Sequence, residues 1–310
     1  MEKTATSPRP SPKFRRLRRG AKVLTLGVVA LALAAWIAGG LLVAPAQRPV
    51  GTPPPDLPIR ALTLPSDSGA QIATWVIDPP NSRGWVVLVH GIRANRDAML
   101  SRARLLYQHA FSIVTIDLQA HGESSGEQIC LGHLESHDVK AAVQWARVQT
   151  PRKKIAVIGT SLGGASALLA SPLSIDALVI ESVYSTVTDA VHNRVCHKVG
   201  PLHHLLSPLL LYQLKPRIGV TPEQLRPIDH IDNVDCPILI LSGDADRHCI
   251  ADETRRMFAA AREPKSLHLF PGAGHVDLYA YDQAVWSQRV LTFLETSFRD
   301  DSQQDANISR

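Results

Sequence analysis

Three residues that together suit acyl transfer stand in order along this chain, and the first is the most telling. Gly159-Thr160-Ser161-Leu162-Gly163 follows the apolar run Lys154-Ile155-Ala156-Val157-Ile158 and precedes Ala165-Ser166-Ala167-Leu168-Leu169-Ala170. A buried strand, a G-x-S-x-G turn and a helix present a serine hydroxyl at the carboxyl edge of a sheet. Glycines flank the serine because side chains there would strike the neighbouring strand and helix. The N–H of Leu162 then opens a helix, where it can bind a developing oxyanion. Ser161 is therefore the candidate nucleophile. The bland alternative is a glycine-rich turn with an idle serine.

A serine nucleophile needs a base, and the base needs an acid to orient it. In the strand-turn-helix setting the chain order is serine, acid, histidine. Downstream, Ile238-Leu239-Ile240-Leu241-Ser242-Gly243-Asp244-Ala245-Asp246 reads as a strand running into a turn. Asp246 lies just past the strand end and is the preferred acid. Asp244 sits nearer the turn and suits the capping of loop amides. Leu267-His268-Leu269-Phe270-Pro271-Gly272-Ala273-Gly274-His275 is again a strand, then a glycine loop, then a histidine. His275 has the loop freedom to reach Ser161. His268 alternates within its strand, and His248 lies too close to the acid to serve well as base. A second oxyanion donor is expected after Val86-Val87-Leu88-Val89-His90, where Gly91 lets the backbone swing and Ile92 N–H faces the developing charge. His90 precedes the nucleophile and reads as a structural hydrogen-bonder.

These residues need a frame. Residues 59–64 and 71–78 read as a hairpin around Ser66-Asp67-Ser68-Gly69. Unbroken apolar strands follow at 85–90, 111–117, 154–158, 177–181 and 237–242, with a further strand at 266–270. Helical patterns lie between them at 96–109, 134–149 and 252–261, and a helix over 277–298 closes the chain. Strands without polar alternation, separated by helices, predict an α/β fold: a mostly parallel sheet covered on both faces. Residues 185–230 break the alternation and are expected to form a helical lid.

The 310 residues carry a net charge of +5, with 45% apolar content. The charge is unevenly placed. Residues 1–22 hold eight Lys and Arg against one Glu, leaving 25 basic and 27 acidic residues for the rest. The body thus lacks the basic face that nucleic acid would require. Residues 23–44 are almost wholly apolar, and about 20 such residues cross a bilayer. The basic cluster just before them keeps residues 1–22 in the cytoplasm and exports the chain beyond about residue 45. This predicts a single-pass membrane anchor. The rival is a cleaved signal peptide, for which Ala44-Pro45-Ala46 has the small-x-small form. Residues 45–58, with prolines at 45, 49, 53, 54, 55 and 58, read as a stiff spacer holding the domain clear of the membrane. The opening Ser-Pro stretch and residues 300–310 read as disordered.

Four cysteines are too few for a disulfide scaffold, but an oxidising compartment permits one bridge. Cys130 and Cys196, both expected in loops above the sheet, are the preferred pair, and Cys236 reads as a buried free thiol. No cysteine or histidine spacing suggests a metal site, and His203-His204 falls in the lid.

With His90-Gly91, Asp117-Leu118-Gln119-Ala120-His121-Gly122-Glu123-Ser124, Gly159–Gly163, Gly243–Asp246 and Gly274-His275 in fixed order, the chain resembles an α/β-hydrolase over about residues 60–298. In detail it resembles bacterial membrane-anchored hydrolases of the serine aminopeptidase-like and monoacylglycerol lipase-like branch. That resemblance implies an eight-stranded sheet, a lid over an acyl pocket, a triad of Ser161, Asp246 and His275, oxyanion donors Ile92 and Leu162, and no cofactor. Gln119 stands where that family often has a basic residue, and Arg247-His248-Cys249 replaces a more apolar stretch. The expected activity is hydrolysis of a small-molecule acyl ester or lipid-like substrate. Two alternatives stay open. One is a peptidase or amidase holding a substrate amine on an acid such as Glu181, although structural pairing is the favoured reading of that residue; the other is a tethered, non-catalytic binding domain.

Overall fold

The computed structural model of the protein describes residues 12–299. The two tails expected to be disordered, up to residue 11 and from residue 300, lie outside the described residues. The strands of the main sheet are β1 (Ile59–Pro65), β2 (Gln71–Ile77), β3 (Trp85–Val89), β4 (Ser112–Ile116), β5 (Ile155–Thr160), β6 (Ala177–Glu181), β7 (Ile238–Gly243) and β8 (Lys265–Phe270). They lie in the order β8-β7-β6-β5-β3-β4-β2-β1, with β2 antiparallel to both its neighbours, β1 and β4, and the other pairs parallel. This is the mostly parallel sheet expected from the strand pattern, with the eight strands that the α/β-hydrolase resemblance implies.

The apolar runs alternate between two cores. Val87 and Val89 of β3, Ile155 and Val157 of β5, and Ile238 and Ile240 of β7 join one cluster. Their neighbours Val86, Leu88, Ala156, Ile158, Leu239 and Leu241 join the other. Successive strand side chains face opposite ways, so a strand buried on both sides must be apolar throughout. Helices α3 (Glu135–Gln149), α4 (Leu162–Leu169) and α8 (Ala251–Ala260) cover the first face. Helices α2 (Leu100–Gln108) and α10 (Gln283–Ser297) cover the second.

The chain reverses its direction of travel across the sheet at β3. From β3 it steps to β4 on one side, then crosses to β5 on the other. Outside the carboxyl ends of β3 and β5 a crevice must open, because their connections leave in opposite directions. Val89 pairs with Gly159, so the loop after β3 and the turn after β5 meet there.

Between β6 and β7 the expected lid comprises α5 (Val187–Val199), α6 (His203–Leu211) and α7 (Leu214–Ile218), followed by short 3-10 turns. The closing helix differs from expectation. It breaks into α9 (Leu278–Tyr281) and α10, because the Asp277 side chain caps α9 and the Asp282 side chain accepts from Val285 N–H at the head of α10.

The N-terminal apolar run lies in one long helix, α1 (Pro12–Val43), whose residues 16–34 are exposed. The proline-rich stretch after it is folded onto the domain. Ala46 and Gln47 pair in parallel with His121 and Gly122, Gly51 N–H donates to Asp97 Oδ2, and Leu57 is buried. Prolines stiffen the path, but backbone groups between them still find partners. The one bridge left open as a possibility, Cys130–Cys196, is absent. Cys130 is a buried free thiol packed beside Val43, and Cys196 is an exposed free thiol on α5. Cys236 is free and half-buried.

Candidate active site

Ser161 connects β5 to α4 with φ 50° and ψ −111°. A non-glycine residue held there stores about 1–3 kcal/mol of strain, which the surrounding packing must hold. The flanking glycines are required by contact: a Cβ on Gly159 would lie 2.6 Å from Gly164 N, and one on Gly163 would collide with Val89 O. Ser161 N–H is tied to Glu181 O at 2.7 Å on the neighbouring strand. The side chain is therefore aimed at the crevice.

His275 and Asp246 arrive from the loops after β8 and β7. His275 Nε2 lies 3.5 Å from Ser161 Oγ, and its Nδ1 lies 2.7 Å from Asp246 Oδ2. The second oxygen, Asp246 Oδ1, accepts from His248 N–H at 2.7 Å and Cys249 N–H at 3.0 Å. Burial works to raise the Asp246 pKa, but the His275 ring and these two amides outweigh it and hold the carboxyl below its ordinary value. The expected serine, acid and histidine are thus brought into one hydrogen-bonded line. The serine-histidine bond is the long member of that line.

The oxyanion candidates flank the serine. Leu162 N–H begins α4, where the first amides have no helical acceptor. Ile92 lies in the turn after β3, beside Gly91, whose Cβ position would be 3.5 Å from Ser161 Cβ. His90 anchors that loop from below. It is fully buried, accepts from Leu118 N–H with Nε2, and holds Gly91 O with Nδ1 at 2.7 Å. Burial lowers its pKa to about 4, so the ring is neutral and structural, as expected. Asp244 caps Gly272 N–H, and His268 stays in β8, half-buried and away from the site.

A cavity of about 390 Å³ opens over Ser161 and His275, walled among others by Met99, Arg102, Ser182, Arg194 and Asp277. Sequence reasoning missed this wall. Arg102 is buried and forks onto Glu181 at 2.7 and 3.1 Å and onto Asp277 at 2.8 and 3.1 Å. Trp286 Nε1–H donates to the same Glu181 at 3.1 Å. Glu181, weighed as an amine-binding candidate but favoured as a structural partner, is occupied on both oxygens. For Asp277, burial works to raise the pKa, but Arg102 holds the carboxyl below its ordinary value. The one signal that could have found Asp277 is its place two residues after His275. Gln119 is buried and bonds Glu135 and Gln128 O, each at 2.8 Å.

Asp246, Cys249 and His275 present ligand atoms within 4.8 Å of one another. They make a poor metal site. The Asp246 and His275 atoms are spent on each other, and burial pushes the Cys249 thiol well above its usual pKa, away from the thiolate that ligation needs.

The model of the alpha/beta hydrolase family matches residues 86–287. The chain belongs to this family. Among its relatives, the uncharacterized protein YfhR of Salmonella typhi is 24% identical over 304 residues, covering 91% of this chain and 97% of that protein. The uncharacterized protein YqkD of Bacillus subtilis is 22% identical, covering 76% of this chain and 79% of its own length. Among solved structures, the Pyrococcus furiosus esterase Pf2001 superposes with a TM-score of 0.69 at 22% identity, covering 83% of this chain and all of that one. An esterase from Exiguobacterium antarcticum superposes at 0.56 and 15% identity, covering 76% of this chain. These likenesses show the shared fold.

Proposed function

We propose that this α/β-hydrolase is a membrane-anchored serine hydrolase that cleaves acyl esters through an acyl-enzyme. The observation that carries the reading is the line from Ser161 Oγ through His275 to Asp246, at 3.5 and 2.7 Å. In the mechanism, His275 Nε2 takes the Ser161 proton as Oγ attacks the ester carbonyl. Asp246 holds the Nδ1 proton in place and stabilises the imidazolium. The amides of Leu162 and Ile92 receive the oxyanion. His275 then returns the proton to the leaving alcohol, and water, activated by the same ring, releases the acid and restores the serine. The names of the structural neighbours, esterases of other organisms, point the same way. In this reading α1 stays attached as a single span, with residues 1–22 in the cytoplasm and the hydrolase domain outside.

The peptidase alternative asked for a free acid at the pocket. Glu181 has none to offer, which favours an ester over a substrate bearing an amine. The test is labelling of membranes by a fluorescent fluorophosphonate, comparing wild type with Ser161→Ala. Labelling of wild type alone is expected, followed by turnover of p-nitrophenyl esters in preference to aminoacyl amides. A well-folded wild type that takes no label would overturn the catalytic reading in favour of a binding domain.

A further inference from the structure

The lid has a composition that covering a pocket does not demand. Between Asp189 and Glu223 there is no acidic residue, while Arg194, Lys198, Lys215 and Arg217 are basic. Within the same stretch α6 is rich in leucine, and apolar surface is left open on it and at both its ends. Leu205 on α6 is 55% exposed, and Leu202 and Tyr212 just before and after it are 61% and 80% exposed. A basic, acid-free segment with exposed leucines and a tyrosine has the chemistry of a headgroup layer, where apolar side chains dip and cations meet phosphate.

The position of the lid along α1 supplies the second observation. The last turns of α1 are seated on the lid helices. Buried Gln213 donates to Ala35 O at 3.0 Å, and any Cβ on Gly39 would collide with the Gln213 amide. Arg217 lies over the Trp36 ring at 4.1 Å and donates to Trp36 O. Val43 is buried beside Leu214 and Ile218. Beyond them, Arg93 donates to the carbonyls of Leu41, Leu42 and Ala44, which have no acceptor role left inside the helix. Residues 35–43 occupy about 13 Å of helix axis. They are also the last part of a run that needs about 30 Å to cross a bilayer. If the run spans, the lid docks at the depth of its outer end and is not held clear of the surface.

We propose that α6, with the exposed Lys198 and Lys215 on either side of it, is a second membrane-contacting element that rests in the headgroup layer of an anionic phospholipid bilayer beside α1. The occupant is lipid because the patch is continuous with the exposed flank of α1 and matches anionic headgroups in charge. The proposal rests on α1 spanning the membrane, and the test separates the two.

The full-length protein is reconstituted in phosphatidylcholine vesicles with and without phosphatidylglycerol. An environment-sensitive dye is placed at Leu205→Cys in a Cys196→Ser background, with Leu31→Cys and Arg255→Cys as references. Retained fluorophosphonate labelling checks the fold, and Tyr212→Cys replaces Leu205→Cys if that variant fails it. The Leu205 dye is expected to shift to the blue and to be quenched by headgroup-level nitroxide lipid, most strongly with phosphatidylglycerol. Lys198→Gln and Lys215→Gln should each lower the immersed-to-aqueous ratio about fivefold. A Leu205 dye as water-exposed as the Arg255 dye, with the Leu31 dye in the bilayer, would overturn the proposal and leave the span intact. A water-exposed Leu31 dye overturns both. Shielding from aqueous iodide without nitroxide quenching would mean that a second copy covers the patch, and would also overturn it.

Discussion

Two buried carboxylates sit at the carboxyl ends of adjacent strands, and they are put to opposite uses. Asp246, just past β7, meets a histidine; Glu181, at the end of β6, meets an arginine. Both side chains are fully buried. The Arg102 guanidinium never gives up its proton at ordinary pH: burial works to lower its pKa, but the Glu181 and Asp277 carboxylates outweigh burial and raise it. That pair is therefore a fixed charge that holds the Asp277 loop against α2 and α10. Histidine as a side-chain type can pass a proton where arginine cannot, so in the proposed mechanism the Asp246 pair is the one that serves the reaction. Burial and strand position alone do not mark an acid as chemical; the partner's ability to change charge does.

Breaking the Asp246 side has the largest expected effect. His275→Ala should lower kcat by about 10⁶-fold and Asp246→Asn by about 10⁴-fold in ester hydrolysis, with far smaller shifts in thermal midpoint. Equal, modest losses in both variants would show that the line does not act as a unit. Breaking the Glu181 side should do the reverse. Glu181→Gln leaves Arg102 short of a buried counter-charge and should cost about 3 kcal/mol in denaturant unfolding. The folded fraction of that variant should keep kcat within about tenfold of wild type. A large fall in kcat at unchanged stability would move Glu181 into the machinery.

A smaller effect separates these charged pairs from the neutral one beneath the oxyanion loop. Burial depresses His90 to about 4 against an ordinary 6.5. Its folded pKa lies below its unfolded one, so the unfolded chain gains the proton first and stability is lost as pH falls from about 6.5 to about 4. His90→Asn should therefore cost more near pH 7 than near pH 4.5. The raised carboxyls of Asp138 and Glu253, both pushed up to about 7 by burial, titrate in wild type and variant alike and cancel in the comparison. A cost independent of pH would show that the fold leaves the His90 pKa at its unfolded value. The smallest effect concerns the thiols. Because Cys130 and Cys196 are unpaired, reductant should leave the melting temperature unchanged, and a drop would reveal a bridge.

Much of this site was legible because its chemistry is local. The glycines around Ser161 are dictated by contacts within the turn and with β3. Asp246 and His275 each follow a readable strand by a few residues, and an unbroken apolar run reports burial on both faces of a sheet. The Arg102 clamp was not legible. Its partners lie 79 and 175 residues away, and nothing in a helical arginine announces a buried fork. The proline-rich stretch misled for a related reason. Proline content reports stiffness, whereas docking depends on the edge that His121 and Gly122 happen to offer to Ala46 and Gln47.

By itself the sequence determined the alternation of strands and helices, the turn that exposes Ser161, the chain order of Ser161, Asp246 and His275, and the presence of one long apolar helix. These rest on hydrophobic period, glycine sterics and chain length, all of which act over a few residues. The tertiary structure alone decided which buried acid faces a histidine and which an arginine, that two of the cysteines stay apart, and that the lid is clasped to the end of α1. Those outcomes depend on which side chains meet across the sheet and between distant helices, and no local pattern encodes that.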